Sequence, residues 1–244
     1  MVDGQFKNMP LIIIQARTNS SRLPNKILKK INDKTLIEIL IERLKKSGFN
    51  IIVATSKDTT NDKLVVLLNK LNVKVFRGSE DDVLSRFQSI INLFHPNYVI
   101  RITADNPLID GFLVKKIFNS IDKSIPRFYL SSGRSKSYPI GTTFEIISSN
   151  LILELADHEL NDKEKEHVTP GIYNGRINDV TFNFPKNKET YNNISLTVDT
   201  IEDFDIIKLL IEDHNCDKKN LNQIVKIYNN LKINQIRKQK KWYE

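Results

Sequence analysis

Short apolar runs alternate with segments of helical periodicity along the first half of the chain. Residues 11–14 form an unbroken apolar run, and residues 51–55 and 97–103 are further predicted strands. A continuous apolar run bounded by polar residues is typical of a strand buried on both faces. The alternation predicts a three-layer α/β fold with a mainly parallel sheet, right-handed crossovers and ligands at the carboxyl ends of the strands.

The remaining elements follow from periodicity and turn residues. Helices are predicted at 34–46, 59–71, 82–93, 111–121, 150–160 and 221–231, with another that Thr200 and Asp203 cap. Further strands are predicted at 74–76, 128–131, 141–147, 180–184 and 194–198. Residues 164–173 are ambiguous because Pro170 would interrupt a helix. We expect a loose leader at 1–10 and a mobile polar loop at 132–138.

The loop after the first strand carries three cations, Arg17, Arg22 and Lys26, and hydroxyls that include Ser21. In α/β folds, a loop between a strand's carboxyl end and a helix start is a common phosphate site. A solvated basic loop is the plain alternative. The strand before the loop and the helix predicted after it favour polyphosphate binding.

Two aspartates follow predicted strands: Asp105 comes after 97–103, and Asp199 after 194–198. Both would lie near the basic loop, where carboxylates commonly hold Mg²⁺ beside polyphosphate. Asp105 is equally well explained as a turn residue and Asp199 as a helix cap. His167 lies in a helical pattern, where a lone histidine is more often structural than catalytic.

Composition excludes several classes of protein. No apolar run approaches the ~20 residues of a membrane helix, and the start lacks an apolar signal-peptide core, so we expect a cytoplasmic protein without a membrane partner. A single cysteine, Cys216, excludes an internal disulfide. The net charge of +8 comes largely from scattered cations and a basic tail at 237–241, without a nucleic-acid-binding motif. It fits an anionic small substrate, so no nucleic-acid partner is expected. Neither a dinucleotide-binding glycine motif nor a Walker A motif is present.

Several motifs in order carry a family resemblance. They are IIIQART-SSRLP-K, IIVATS, FRGSEDDVLSRF, RITADNPLID, EHVTP and LTVDTIEDF. With them the chain, from residue 11 to about 211, resembles the cytidylyltransferases related to the spore-coat polysaccharide protein SpsF. These are similar to the enzymes that activate 3-deoxy-manno-octulosonate and N-acylneuraminate.

The resemblance implies a GT-A-like, Rossmann-like nucleotidyltransferase fold that binds CTP and Mg²⁺. It implies one domain, 1–244, with a nucleotide-binding part (10–124), an inserted acceptor and dimerisation subregion (125–200) and C-terminal helices (201–244). A homodimer is expected. The implied catalytic residues are Arg17, Lys26, Asp105 and Asp199, of which Asp105 and Asp199 bind the metal. The implied nucleotide-binding residues are Gln15, Ala16, Arg17, Ser21, Arg22, Lys26, Arg101 and Thr103. The implied acceptor-binding residues are Arg77, Arg86, Glu145, Glu166 and His167.

Two positions depart from the family pattern. Ile140 stands where the family often has an aspartate, and Asn106 stands where it commonly has a cysteine. Loss of the acid at 140 points to a different acceptor.

These features predict an enzyme that transfers CMP from CTP to an anionic sugar or sugar-acid acceptor and releases pyrophosphate, for surface polysaccharide or glycoconjugate synthesis. One rival is a GT-A glycosyltransferase that consumes a nucleotide-sugar. Its Asp-x-Asp motif occurs here only as Asp203 and Asp205, inside a predicted helix. A non-catalytic nucleotide-binding subunit is the other rival.

Overall fold

The computed structural model describes residues 9–191 and 193–235. Nine strands occur in this part of the chain: β1 (Leu11–Gln15), β2 (Lys30–Ile31), β3 (Lys34–Thr35), β4 (Asn50–Ser56), β5 (Lys74–Gly78), β6 (Tyr98–Thr103), β7 (Phe128–Ser131), β8 (Glu145–Ser148) and β9 (Thr181–Asn183). Seven of them form one sheet in the order β5-β4-β1-β6-β8-β7-β9, and β2 and β3 pair as a separate hairpin.

The large sheet is mainly parallel, as predicted. Strand β1 pairs in parallel with β4 on one side and with β6 on the other, and β4 pairs in parallel with β5. Strand β8 runs antiparallel to both β6 and β7, whereas β9 is parallel to β7. In the register of β1 and β6, Gln15 lies opposite Thr103, so the carboxyl ends of these two central strands open at the same edge.

Helices cover both faces of the sheet. They are α1 (Leu36–Lys45), α2 (Asp62–Lys70), α3 (Val83–Phe94), α4 (Gly111–Ser120), α5 (Ser149–Glu154), α6 (Asp162–His167), α7 (Pro170–Tyr173), α8 (Ile201–Glu212) and α9 (Leu221–Asn230). Alternate residues of β1 face opposite cores: Ile12 and Ile14 pack with α1, α4, α8 and α9, and Leu11 and Ile13 pack with α3, α5 and α7. The predicted three-layer α/β architecture is confirmed.

Side-chain caps fix several helix starts. The predicted Thr200–Asp203 capping box of α8 is present, and a second one, Thr35 with Glu38, begins α1. Asp82 caps α3 by accepting from Ser85 N. Pro170 occupies the first position of α7, which explains why the pattern at 164–173 was ambiguous: two short helices meet there.

Three expectations need correction. The α-helix predicted from residue 34 starts at Leu36, and the hairpin of β2 and β3 precedes it. Residues 194–198 do not form a strand, although Ile194, Leu196 and Val198 are buried as predicted; they make one isolated bridge, between Ser195 and Ile140. The loop at 132–138 is anchored by the buried side chain of Ser132, which bonds to Phe144. The leader up to residue 8 and the basic tail lie outside the described residues.

Within the described residues, no helix has both the length and the apolar character needed to span a bilayer.

Candidate active site

The basic loop folds around the buried side chain of Thr18. Its backbone N–H and its hydroxyl both contact Oδ1 of Asn61, at 3.0 and 3.2 Å. The carbonyl of Thr18 accepts from the backbone N–H groups of Ser20 and Asn25, both at 3.0 Å. With Thr18 held inward, Arg17 and Arg22 are exposed on either side of it. A three-residue 3₁₀ helix, Lys26–Leu28, and the hairpin of β2 and β3 separate the loop from α1, the helix predicted after it.

A cleft of about 340 Å³ opens at the carboxyl ends of β1 and β6. Most of the predicted site residues line it, although they come from distant parts of the chain. The lining residues are Gln15, Ala16, Arg17, Ser20, Ser21, Arg22, Lys26, Ile27, Val83, Arg86, Arg101, Thr103, Ala104, Asp105, Glu166, His167 and Asp199. Five of these side chains are cationic and three are carboxylates, so the cleft is suited to a polyanion.

Lys26 joins the two predicted metal carboxylates. Its Nζ lies 2.9 Å from Oδ2 of Asp105 and 2.9 Å from Oδ1 of Asp199. Arg22 Nη2 also contacts Oδ1 of Asp199, at 3.1 Å. Partial burial would raise the pKa of Asp199, but the contacts with Lys26 and Arg22 outweigh burial and lower the pKa below its usual value. Both carboxylates are therefore charge-neutralised by side chains of the basic loop.

Backbone contacts bring Asp199 to this position. The N–H of Val198 donates to the backbone carbonyl of Asp105 at 2.9 Å. The segment that leads to Asp199, residues 194–198, is also held by Ile140. The N–H of Ile140 donates to the carbonyl of Ile194 at 2.9 Å, and the carbonyl of Ile140 accepts from the N–H of Leu196 at 2.7 Å. Gly141 makes this approach possible, since its φ is +84° and an added Cβ would lie 2.2 Å from the backbone nitrogen of Thr197.

Helix α6 forms the opposite wall of the cleft. Oε1 of Glu166 accepts from Arg17 Nη2 at 3.0 Å, and the Glu166 carbonyl accepts from Gln15 Nε2 at 3.4 Å. His167, exposed, ends the helix beside the cleft. The next residue, Val168, is buried with a φ of +68°, and the N–H of Thr169 donates back to the His167 carbonyl at 2.8 Å. This tight turn sets the direction in which the helix end points.

Arg101 is the centre of a second polar network. Its Nη1 donates to Oε2 of Glu145 at 2.7 Å, and its Nη2 donates to Oε1 of Gln15 at 2.9 Å. Oε1 of Glu145 accepts from the hydroxyl of Tyr129 and, at 3.0 Å, from that of Thr169. Burial first, and then the Glu145 carboxylate, raise the pKa of Tyr129, which keeps this phenol protonated. Both oxygens of Glu145 are thus bonded within the protein.

Two backbone groups beside the cleft bond within the sheet, and one predicted site residue lies outside the cleft. The N–H of Ala16 donates to the carbonyl of Ala54, and the carbonyl of Gln15 accepts from Ala104, each at 3.0 Å, so these backbone groups extend the sheet. Arg77 does not line the cleft. Its guanidinium contacts the carbonyl of Lys57 at 3.0 Å and the carboxylate of Asp62 at 2.8 Å, because its strand, β5, lies at the sheet edge away from the cleft.

Arg86 does reach the cleft wall, but its side chain is buried. The guanidinium donates to the backbone carbonyls of Ser79 and Glu80, and burial lowers its pKa. It therefore stiffens the turn before α3 as well as adding positive charge to the cleft.

The donor set fits one small divalent cation that is shared with phosphate. Mg²⁺ typically takes one or two protein carboxylates and completes its shell with water and phosphate oxygens. Asp105 and Asp199 provide such a pair. No group of three or more histidine, cysteine or acidic side chains placed to hold a metal occurs in the described residues.

Sequence reasoning missed several supporting residues. Tyr129 and Thr169 were not singled out, although both bond to Glu145, and Asn106 was noted only as a departure from a pattern. Thr169 lies inside the EHVTP motif, which was the signal available for it.

Comparisons with known proteins identify the family. A cytidylyltransferase family model matches residues 11–244. An uncharacterized protein of Methanocaldococcus jannaschii is 39% identical over 82% of this chain and 81% of its own length. The spore coat polysaccharide biosynthesis protein SpsF of Bacillus subtilis is 34% identical over 83% of this chain and 86% of its own length. A cytidylyltransferase structure from Leptospira borgpetersenii superposes with a TM-score of 0.87 and 26% identity, covering 93% of this chain and 96% of that one.

The family match extends from β1 through the described C-terminal helices, and it includes every residue that lines the cleft. The chain belongs to the cytidylyltransferase family and is a CTP-dependent nucleotidyltransferase.

Proposed function

We propose that the chain transfers CMP from CTP to an anionic sugar or sugar-acid acceptor, with release of pyrophosphate, in surface polysaccharide or glycoconjugate synthesis. One observation carries the proposal: five cations converge on a cleft in which two carboxylates share Lys26. The similarity to SpsF, a protein named for polysaccharide biosynthesis, supports the acceptor class and the pathway.

The basic loop is assigned to the triphosphate. Arg17 and Arg22 are exposed, and each would exchange its ion pair, with Glu166 and Asp199, for the β- and γ-phosphates. Lys26 lies deeper beside the carboxylates. Ser21 adds a hydroxyl at the cleft wall. These groups offset the negative charge that builds on the departing pyrophosphate, which is the main electrostatic demand of this reaction.

The carboxyl ends of β1 and β6 are assigned to the nucleoside. Gln15 and Ala16 come from β1 and its following residue, and Arg101 and Thr103 come from β6. Because the Ala16 N–H is bonded within the sheet, we assign base recognition to the Gln15 side chain and to Arg101, which already contact each other.

The reaction forms one bond and breaks one bond at the α-phosphorus. An acceptor oxygen attacks in line, the new O–P bond forms, and the bond to the β-phosphate oxygen breaks, so pyrophosphate leaves with the electron pair. Holding the two reactants in line lowers the barrier by removing orientational freedom before the reaction. A carboxylate or phosphate acceptor needs no base. A hydroxyl acceptor would give its proton to Nδ1 or Nε2 of His167.

Asp105 and Asp199 are assigned to Mg²⁺, which when bound supplies positive charge next to the α-phosphoryl oxygens. On the acceptor side we place Glu166, His167 and Arg86 at the cleft. Glu145 acts by orienting Arg101, since both of its oxygens are already bonded.

We further propose a GT-A-like, single-domain organisation with the acceptor and dimerisation subregion at 125–200, and a homodimer in solution. Light scattering coupled to size-exclusion chromatography measures the molar mass in solution and so distinguishes a dimer from a monomer.

Pyrophosphate release is the decisive measurement. The protein is assayed with Mg²⁺, each of CTP, UTP, ATP and GTP, and a panel of sugar acids, sugar phosphates and phosphonates. We expect release with CTP and at least one anionic acceptor. Transfer from a nucleotide-sugar without pyrophosphate would identify a glycosyltransferase instead. Tight CTP binding with no release across the panel would indicate a non-catalytic subunit.

A further inference from the structure

A second pocket, of about 160 Å³, adjoins the cleft and shares the side chains of Arg101 and Thr103 with it. Its other walls come from β7, from β8 and the two residues before it, and from the turn after β6. These walls are Asn106, Ser131, Thr143, Phe144 and Glu145. The pocket therefore lies beyond β6, on the side of the cleft that is farther from the basic loop.

The walls of this second pocket differ from the cleft in charge. Its cation and its anion, Arg101 and Glu145, are paired with each other at 2.7 Å. The carboxylate of Glu145 is also bonded to Tyr129 and Thr169, so it has little remaining capacity for a ligand. The other polar walls are hydroxyls and one amide. An anion gains more in the cleft, whereas the second pocket suits an uncharged polar group.

Asn106 lines this pocket, and its side chain lacks one hydrogen-bond partner within the described ranges. It is 8% exposed, and its Nδ2 donates to Oγ1 of Thr103 at 2.6 Å. Its Oδ1 is buried and has no hydrogen-bond partner among the described residues. If the amide is turned over, the oxygen accepts from Thr103 and the nitrogen is left unpaired, so either orientation leaves one end open.

Arg101 adds a second unpaired atom in the same wall. Its Nε is buried and has no partner in the described part of the chain, while both of its terminal nitrogens are bonded. Buried polar groups in folded proteins nearly always have partners. Both unpaired atoms belong to side chains that line one pocket, so a polar group bound there could supply the missing bonds.

We propose that the second pocket binds an uncharged, hydroxylated part of the acceptor and that Asn106 selects for it. A hydroxyl both donates and accepts, so it satisfies Asn106 in either orientation and can also accept from Nε of Arg101. A carboxylate or phosphate accepts only, and it would meet the Glu145 carboxylate. The acceptor thus carries its anionic part and its reacting oxygen in the cleft and a polyol portion beyond β6. This inference rests on the proposed function.

Pairs of acceptors that differ only in the hydroxyls of the tail test whether Asn106 selects for a hydroxylated acceptor. Sugar acids with a hydroxylated tail are compared with deoxygenated analogues that keep the same reacting group, using wild type, Asn106→Leu and Thr143→Val. We expect kcat/KM for the hydroxylated acceptor to fall about 10-fold or more in Asn106→Leu, the scale of one lost polar contact, and that for the deoxygenated acceptor to change less than about 2-fold. Thr143→Val removes one wall hydroxyl while keeping shape. Asn119→Leu, on the exposed face of α4, is the control.

A binding measurement separates this inference from the proposed function. The ¹⁵N side-chain amide signal of Asn106, assigned by its loss in Asn106→Leu or Asn106→Ser, is followed as erythritol is added to protein saturated with CTP. A saturable shift that acetate does not produce supports the inference. Absence of that shift, or equal losses of kcat/KM for both acceptors, overturns it. Wild type that binds CTP but releases no pyrophosphate with any acceptor would refute the proposed function and leave the erythritol result to decide the pocket.

Discussion

Asp105 and Asp199 contact the same atom, Nζ of Lys26, and each does so through one carboxylate oxygen at 2.9 Å. The ammonium group thus lies between the two acids and reduces their mutual repulsion, as a shared metal cation would. In the free protein Lys26 should therefore compete with the metal that we propose for both carboxylates. A triphosphate, by attracting Lys26 and Arg22, would remove that competition.

Replacing Lys26 by Met should therefore strengthen metal binding to the nucleotide-free protein. Removing one positive charge within hydrogen-bond distance of both acids should raise Mn²⁺ affinity by about 10-fold or more. The measurement is the free Mn²⁺ signal by electron paramagnetic resonance. Lys30→Met, at an exposed position in β2, is the control. Equal Mn²⁺ affinities in Lys26→Met and wild type would show that Lys26 does not compete.

Asp105→Ala should reduce turnover at least ~100-fold, the scale for losing one preorganised electrostatic group. Initial rates of pyrophosphate release at saturating Mg²⁺ and CTP give the comparison. The control is Asp205→Ala, because Asp205 is exposed on α8 outside the cleft. Near-wild-type turnover in Asp105→Ala would remove Asp105 from the reaction.

Gly141→Ala should destabilise the protein more than Gly175→Ala does. Both glycines have positive φ, +84° and +83°, so each substitution carries the left-handed backbone cost of about 1 kcal/mol. Of these two positions, only at Gly141 would the new Cβ meet backbone, 2.2 Å from Thr197 N. At Gly175 no atom of the described residues, apart from its chain neighbours, lies within 4 Å of the added Cβ. We expect Gly175→Ala to lower Tm by roughly 2–4 °C and Gly141→Ala to lower it by more. Equal melting temperatures of Gly141→Ala and Gly175→Ala would show that the backbone around Thr197 can shift without loss of stability.

Glu164→Gln tests the support of α6. The bond from Arg176, and then the backbone bond at Asn161, lower the pKa of Glu164 below 4.5 in the folded protein. A lowered folded pKa gives stability that is present above 4.5 and is lost as the pH falls through the folded value.

Urea unfolding of wild type and Glu164→Gln should therefore differ at pH 7, with the variant less stable, and the difference should shrink below pH 4.5. Glu159→Gln, at an exposed position before α6, is the control. A stability difference that stays constant from pH 7 to pH 3 would indicate a packing effect in place of the ion pair.

Periodicity predicted the central strands well because both of their faces are buried. Residues Leu11–Ile14 are fully buried, and burial on two faces leaves a run without polar interruption. The alternation at 194–198 was also real, but it reports which side chains are buried and not whether the backbone is paired. The hairpin of β2 and β3 was missed because each strand has only two residues.

At the site, the topology of the sheet predicted which residues come together, but it did not predict the directions of their side chains. Parallel strands end at one edge, so the meeting of Asp105 with the basic loop was predictable from element order. The contacts of Arg77 with Asp62 and of Lys26 with both aspartates depend on rotamers and on the packing of distant segments. Neither set of contacts can be predicted from the local sequence.

The hydrogen bond from Val198 N to the Asp105 carbonyl has an evolutionary consequence. It links the two acids through the main chain, and within the stretch between them Ile140 and Gly141 also hold the segment that carries Asp199. If the rest of this stretch binds the acceptor, as we propose, mutations away from these two residues should change what the enzyme accepts while its phosphate chemistry stays intact, and a lineage could diversify its products in this way.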